Sequence, residues 1–183
     1  MNSNAARVGF LQLILTLIGL SWAGSAVAAD RSHISADSPL AKPQGKVVLE
    51  VHGAITNTNA DGAALFDRAM LKALPPIHID THTSVTDGVQ GFDGFLIRDL
   101  LKRVGATGST VIAKALNDYI IEFPIEEFSE YDVVAAYKMN GKPLLPSDKG
   151  PLWIVYPRDD DPRLQDIRYD YRWVWQLYRI DIK

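Results

Sequence analysis

The sequence predicts an α+β domain on three observations: short apolar runs that alternate with period two, only two stretches with helical spacing, and turn-forming dipeptides between them. "KVVLEVHGAI" (46–55) sets Val47, Leu49 and Val51 against Val48, Glu50 and His52, the pattern of a strand ending near Gly53. "TNTNADG" is turn chemistry. "AALFDRAMLKAL" (63–74) puts Phe66, Ala69, Met70 and Ala73 on one helical stripe, and Pro75-Pro76 ends it. In "PPIHIDTHTSV" (75–85) Ile77, Ile79, Thr81, Thr83 and Val85 alternate with His78, Asp80 and His82, which predicts a half-buried strand with those two sets on opposite faces.

"TDGVQGFDG" (86–94) reads as a glycine-rich loop leading into the helix "FLIRDLLKRVG". There Leu96, Leu100 and Val104 recur at helical spacing, and Gly105 stands where a left-handed C-terminal residue is expected. "STVIAKAL" and "YIIEFP" are strands on either side of Asn117-Asp118, and "IEEFSEYD" is a short helix or turn. "VVAAYKM" and "KPLL" flank Asn140-Gly141, a strong hairpin signal. "GPLWIVYP" and "RWVWQLYRIDI" complete a β-rich chain without an internal repeat.

A length of 183 residues suits one domain. The net charge of −3 comes from interspersed charges of both signs, and no run of Lys or Arg is long enough to track a phosphate backbone, which argues against nucleic acid as a partner. Arg7, the apolar "VGFLQLILTLIGL" and Ala26-Val27-Ala28 together read as a secretory signal peptide over residues 1–28, with an uncleaved N-terminal anchor as the alternative. Residues 29–45 form a flexible, polar lead-in, and residues 46–183 one exported domain. The absence of cysteine excludes disulfides, thiolate nucleophiles and thiolate metal ligands, so this domain of roughly 140 residues is held by its core alone.

Four stretches can carry chemistry. His78, Asp80 and His82 on one strand face have the donor types of a zinc or copper site, but same-face positions are about 7 Å apart. "PRDDDP" (157–162) offers three carboxylates in a row; with no EF-hand pattern around them, a solvated loop is preferred to a calcium site. The last third is rich in rings, Trp153, Tyr156, Tyr169, Tyr171, Trp173, Trp175 and Tyr178, near Arg158, Arg168 and Arg172. Such rings serve either as core or as a stacking wall for a flat ligand. "ALNDY" (115–119) sits at a strand end, where Asn and Asp either form a turn or project into a cleft.

The order and spacing of "TDGVQGFDGFLIRDLLKRVGATG", "ALNDY", "YDVVAAYKMNGKPLLPSDKGPLWIVYP" and "YRWVWQL" resembles the oxidoreductase molybdopterin-binding domain. The resemblance extends from about Val47 onward and implies the sulfite-oxidase-type fold, with β-rich mixed sheets, two or three short helices and a pterin cleft. The enzymes of that family carry a molybdenum-ligating cysteine just before the "G-x-x-L-x-x-L-L" helix; the corresponding segment here is Thr81-His82-Thr83. Without a soft thiolate, molybdenum redox chemistry is not expected, and His78 and His82 become polar lining at the cofactor rim rather than metal ligands.

The chain is similar in more detail, in "ALNDY", "GPLWIVYP" and "VWQL", to cysteine-free periplasmic pterin-binding proteins of the PruR type. That likeness implies a non-catalytic protein that binds a free pterin, such as a monapterin- or neopterin-like ligand, and signals to the periplasmic domain of a membrane-bound cyclic-di-GMP cyclase/phosphodiesterase. It implies Asp118 as the carboxylate reading the pterin edge, with Asn117 and Tyr119 beside it. Arg172 would meet the ligand's polar side chain, Trp175 would stack, and His82 and Thr83 would line the rim. Val85 departs from the Trp common in relatives at that position. A molybdopterin-dependent oxidoreductase lacking its cysteine ligand is the alternative.

Overall fold

The computed structural model describes residues 36–183, so the expected leader, residues 1–28, lies outside the described residues. Two five-stranded sheets share one core. The first has the order β2 (Ala63–Asp67), β1 (Val47–Gly53), β10 (Leu177–Ile182), β5 (Thr110–Ala115), β6 (Ile120–Pro124). The second runs β3 (Pro76–His82), β4 (Val89–Leu96), β7 (Val134–Met139), β8 (Lys142–Pro143), with β9 (Trp153–Val155) also paired to β7. Four short α-helices, α1 (Arg68–Lys72), α2 (Ile97–Val104), α3 (Glu127–Glu130) and α4 (Ile167–Asp170), connect or flank them.

Alternation decides what is buried. In β1, Leu49 and Val51 are fully buried while Val48, Glu50 and His52 are half-exposed, as the sequence pattern requires. Phe66, Phe92, Phe95 and Val134 meet them from both sheets, and α2 adds Ile97, Leu100 and Val104. Each such large side chain contributes about 1.5–3 kcal/mol by leaving water. The helix α2 ends at Gly105 in the left-handed region (φ 61°), and the β7–β8 hairpin turns through Asn140 (φ 50°) and Gly141 (φ 74°), both as expected. Among the described residues no helix is long and apolar enough to cross a membrane.

Four expectations need correction. "AALFDRAMLKAL" is not one helix: Ala63–Asp67 pairs with β1, and only Arg68–Lys72 is helical. The run Ala63, Ala64, Phe66 is buried in the sheet, and Asp67 stops the strand by accepting the Met70 N–H at 2.9 Å, an N-cap that starts the helix inside the supposed stripe. The glycine-rich stretch is mostly strand β4, which pairs with both β3 and β7. Val85 does not continue the inward face of β3; that strand ends at His82, and Val85 is 48% exposed. The last strand begins at Leu177, not at Arg172.

The lead-in has no regular structure from Ala36 to Gly45, yet it is tied down. Asn57 Nδ2 and Arg103 donate to Ser38 O, and the N–H groups of Gln44 and Gly45 donate to Asp67 Oδ2 at 2.8 and 2.9 Å. These backbone donors, with Met70, hold the buried Asp67 carboxyl below its usual range.

Gly94 marks a close approach within the second sheet. A Cβ there would lie 2.3 Å from Ala135 O and 2.8 Å from Ala136 Cα, so only glycine lets β7 pair with β4 across the bulge at Asp93/Gly94. Gly94→Ala is expected to lose about 2–3 kcal/mol of stability in urea unfolding. Gly45→Ala, whose Cβ would meet its nearest neighbour at an ordinary 3.6 Å, should stay within about 1 kcal/mol of the parent.

Candidate functional site

The end of β3 is clasped by the aspartate loop. His82 presents its backbone N–H and its ring Nδ1 to the same oxygen, Asp159 Oδ2, at 2.9 Å each, and the Asp159 N–H donates to Thr81 Oγ1 at 3.3 Å. Burial pushes the Asp159 carboxyl up, but the His82 backbone and ring, with Arg158 beyond, outweigh it and hold the group below its ordinary value. Thr83 is buried, bonded to Thr86 Oγ1 at 2.7 Å and accepting the Val85 N–H at 3.1 Å. Of the other "PRDDDP" carboxylates, Asp161 caps the turn Pro162–Gln165 and pairs with Arg163.

His78 belongs to a different cluster. Its Nδ1 faces Asp93 Oδ1 at 2.8 Å across the β3–β4 ladder, and its Nε2 faces Asp80 Oδ1 at 3.2 Å. Gly91 makes the room, since a Cβ there would stand 3.0 Å from Asp80 Oδ1 and 3.1 Å from His78 Cε1. The hydrogen bond to Asp93 raises the His78 pKa, burial opposes it, and Asp80 adds to the rise. The two histidines thus serve separate carboxylates. Among the described residues no group of three His, Cys, Asp or Glu side chains is arranged to hold a metal ion.

"ALNDY" forms the β5–β6 turn. Asp118 adopts the left-handed region (φ 66°), its N–H donates to Ala115 O at 3.1 Å, and Asn117 Oδ1 accepts the Tyr119 N–H at 3.2 Å. Asn117 and Asp118 are exposed, and the Asp118 carboxylate has no hydrogen-bond or ion-pair partner among the described residues. Tyr119 is 38% exposed and donates its hydroxyl to Tyr171 O at 2.7 Å, which leans the turn against the segment carrying Arg172 and Trp175.

Arg172 is engaged by protein groups. It pairs with Glu127, whose other oxygen accepts the Tyr156 hydroxyl at 2.9 Å, and its guanidinium lies over the rings of Phe123 (5.6 Å) and Tyr169 (5.4 Å). The charge of Arg172, expected to meet the ligand's polar side chain, is balanced by a carboxylate inside the fold. Trp175 is half-buried and packs at a tilt on Trp153 with centroids 6.3 Å apart. Lys149 Nζ stands 5.7 Å from the Trp175 ring, so its stacking surface is partly taken. Trp153, Tyr156 and Trp173 are core, Tyr169 and Tyr178 half-buried, and Tyr171 exposed.

The structure therefore brings Asn117, Asp118 and Tyr119 beside the segment of Arg172 and Trp175, while His82 and Thr83 meet the aspartate loop. Cavities of about 680, 500 and 390 Å³ lie respectively at the start of β1 and β10, between α2 and α3, and beside His78 and Asp93; none of the seven expected residues lines them. Asp93 and Glu127 escape a sequence reading, and Asp159 is visible only as one carboxylate of "PRDDDP", without its bond to His82. Of the first two, Asp93 alone carried a signal, because reading "GVQGFDGF" as the partner of "IHIDTH" places it opposite His78.

Residues 78–159 match the family described as the oxidoreductase molybdopterin binding domain. The fold is the sulfite-oxidase-type molybdopterin-binding fold, and it superimposes on the sulfane dehydrogenase SoxCD from Paracoccus pantotrophus with a TM-score of 0.56 and 17% sequence identity. That likeness covers 79% of this chain and 40% of the SoxCD chain, and at such identity it concerns the fold alone. No curated protein matches the chain.

Two outcomes follow from these side-chain contacts. In an NMR titration His78 should show a pKa above the ordinary 6.5, returning toward it in Asp93→Asn. The interaction stabilises fully below the unfolded-state value and is lost as pH rises through the raised folded value. Glu127→Gln should cost about 2–3 kcal/mol in ligand-free protein, because it leaves Arg172 largely buried without its counter-charge.

Proposed function

We propose that the protein is exported, binds a free pterin without redox catalysis, and reports its occupancy to the periplasmic domain of a membrane-bound cyclic-di-GMP cyclase/phosphodiesterase. The observation that carries the reading is a molybdopterin-type fold on a chain with no cysteine. The donor set does not fit a thiolate-anchored molybdenum centre: no thiolate exists, His82 is spent on Asp159, and His78 on Asp93 and Asp80. A pterin stripped of metal needs other recognition. Its aminopyrimidinone edge offers two adjacent N–H donors, which one carboxylate meets with paired bonds worth about 1.5–3 kcal/mol each.

Asp118 suits that task better than any other residue of the expected set, because its carboxylate is exposed and unpartnered among the described residues. Tyr119 holds the turn through Tyr171 and plays a supporting part. The export, the monapterin- or neopterin-like ligand and the receptor partner rest on the signal-like N-terminus and on the resemblance to periplasmic pterin-binding proteins. Ligand occupancy passes to such a receptor only through contacts that differ between the free and bound forms.

The test is fluorescence of protein exported by its own leader, followed by titration of the refolded apo-protein with neopterin and monapterin. A bound pterin without stoichiometric molybdenum or tungsten is expected, and its absence in both experiments overturns the reading. Asp118→Asn should weaken pterin binding about 10- to 100-fold, whereas Tyr119→Phe should change it less than about threefold.

A further inference from the structure

The 680 Å³ groove lies at the end of the first sheet where β1 and β10 begin and β2 and β5 finish. Its surface is mostly apolar, with Val48, Leu116, Pro146 and Tyr178 among its walls, and its volume falls in the range of small-molecule sites. Lys46 and Arg68 stand in its lining. The β1–β2 ladder ends with Val47 paired to Asp67, so Lys46 and Arg68 are the next residues beyond that last pair and stand at the same end of the groove. Among the described residues neither has a hydrogen-bond or ion-pair partner.

The carboxylates nearby are already committed. Asp67 accepts the N–H groups of Gln44 and Gly45 on one oxygen and of Met70 on the other. Glu50, also in the lining, faces His52 Nε2 at 3.0 Å and has Arg179 as its neighbour across the β1–β10 ladder. Two like charges at one end of a groove repel each other, and an anion placed between them reverses the sign.

We propose that this groove is a binding site for a small amphipathic anion. Its aromatic or aliphatic body lies against Val48, Leu116 and Tyr178, and its carboxylate, sulfonate or phosphate lies between Lys46 and Arg68. The site is separate from the proposed pterin site: it offers cations, where a pterin edge asks for a carboxylate.

The probe is 8-anilinonaphthalene-1-sulfonate, titrated by fluorescence against the protein from residue 29 onward, with uncharged N-phenyl-1-naphthylamine as the comparison. Saturable one-to-one binding of the sulfonate is expected, with amide shifts at Val48 and Leu116. Lys46→Gln/Arg68→Gln should weaken it tenfold or more while leaving the neutral probe within about twofold. Both substitutions are on surface charges, and an unchanged Tm checks that the variant folds. Non-saturable binding by the parent, shifts elsewhere, or equal affinity in parent and double variant overturns the proposal. Neopterin titrated into the same variant separates the two sites: loss of the sulfonate with retained neopterin binding supports both, and failure of neopterin alone leaves this groove standing.

Discussion

The pairing of the last strand with the first is the contact on which the rest of the structure depends. β10 lies between β1 and β5, parallel to the former through Glu50 and Arg179 and antiparallel to the latter through Ile180 and Ala113. Without it the first sheet is two separate hairpins, and two-stranded hairpins are marginal in water. Lys183 is fixed with it, since its backbone oxygen accepts the N–H groups of Ser109 and Thr110 at 2.6 and 2.9 Å. The candidate site hangs from the same strand: Leu116 donates to Gln176 O, and Gln176 Nε2 holds the loop before β9 through Pro146 O and Asp148 O.

Within that frame two of the expected ligand-binding side chains, Arg172 and His82, are paired with carboxylates of the protein. Arg172 meets Glu127 and Tyr156 meets the same carboxylate; His82 meets Asp159. Breaking such partly buried pairs costs more than forming them contributes, so a ligand that needed those groups would have to supply equivalent partners. Asp118 differs because its only commitments are through its backbone. The proposed recognition by few polar contacts rests on the cysteine-free composition and on this internal pairing.

How much was legible in the sequence follows from where the determining forces act. Period-two alternation marked β1 and β3, and Asn140-Gly141 marked a hairpin, because both are local. β4 was hidden by its glycines. Gly91 clears space for the His78 and Asp80 side chains and Gly94 lets β7 come close, and neither need is visible without the neighbouring strands. In residues 63–74 helix-forming residues gave a helical stripe, but pairing with β1 overrode propensity for Ala63–Asp67. The site was legible as residue types and as one turn. The pairing of Arg172 with Glu127 joins segments far apart in sequence and has no local signature.

The central place of β10 also bears on how the chain is made. During synthesis β1–β2 and β5–β6 can each form early, but the strand that joins them, β10, emerges after both. Until then both hairpins display unpaired edges toward the gap it will fill, the geometry that invites pairing with other chains. Contacts closed over nearly the whole sequence form slowly. A nascent chain of this topology therefore exposes those unpaired edges until β10 joins the two hairpins.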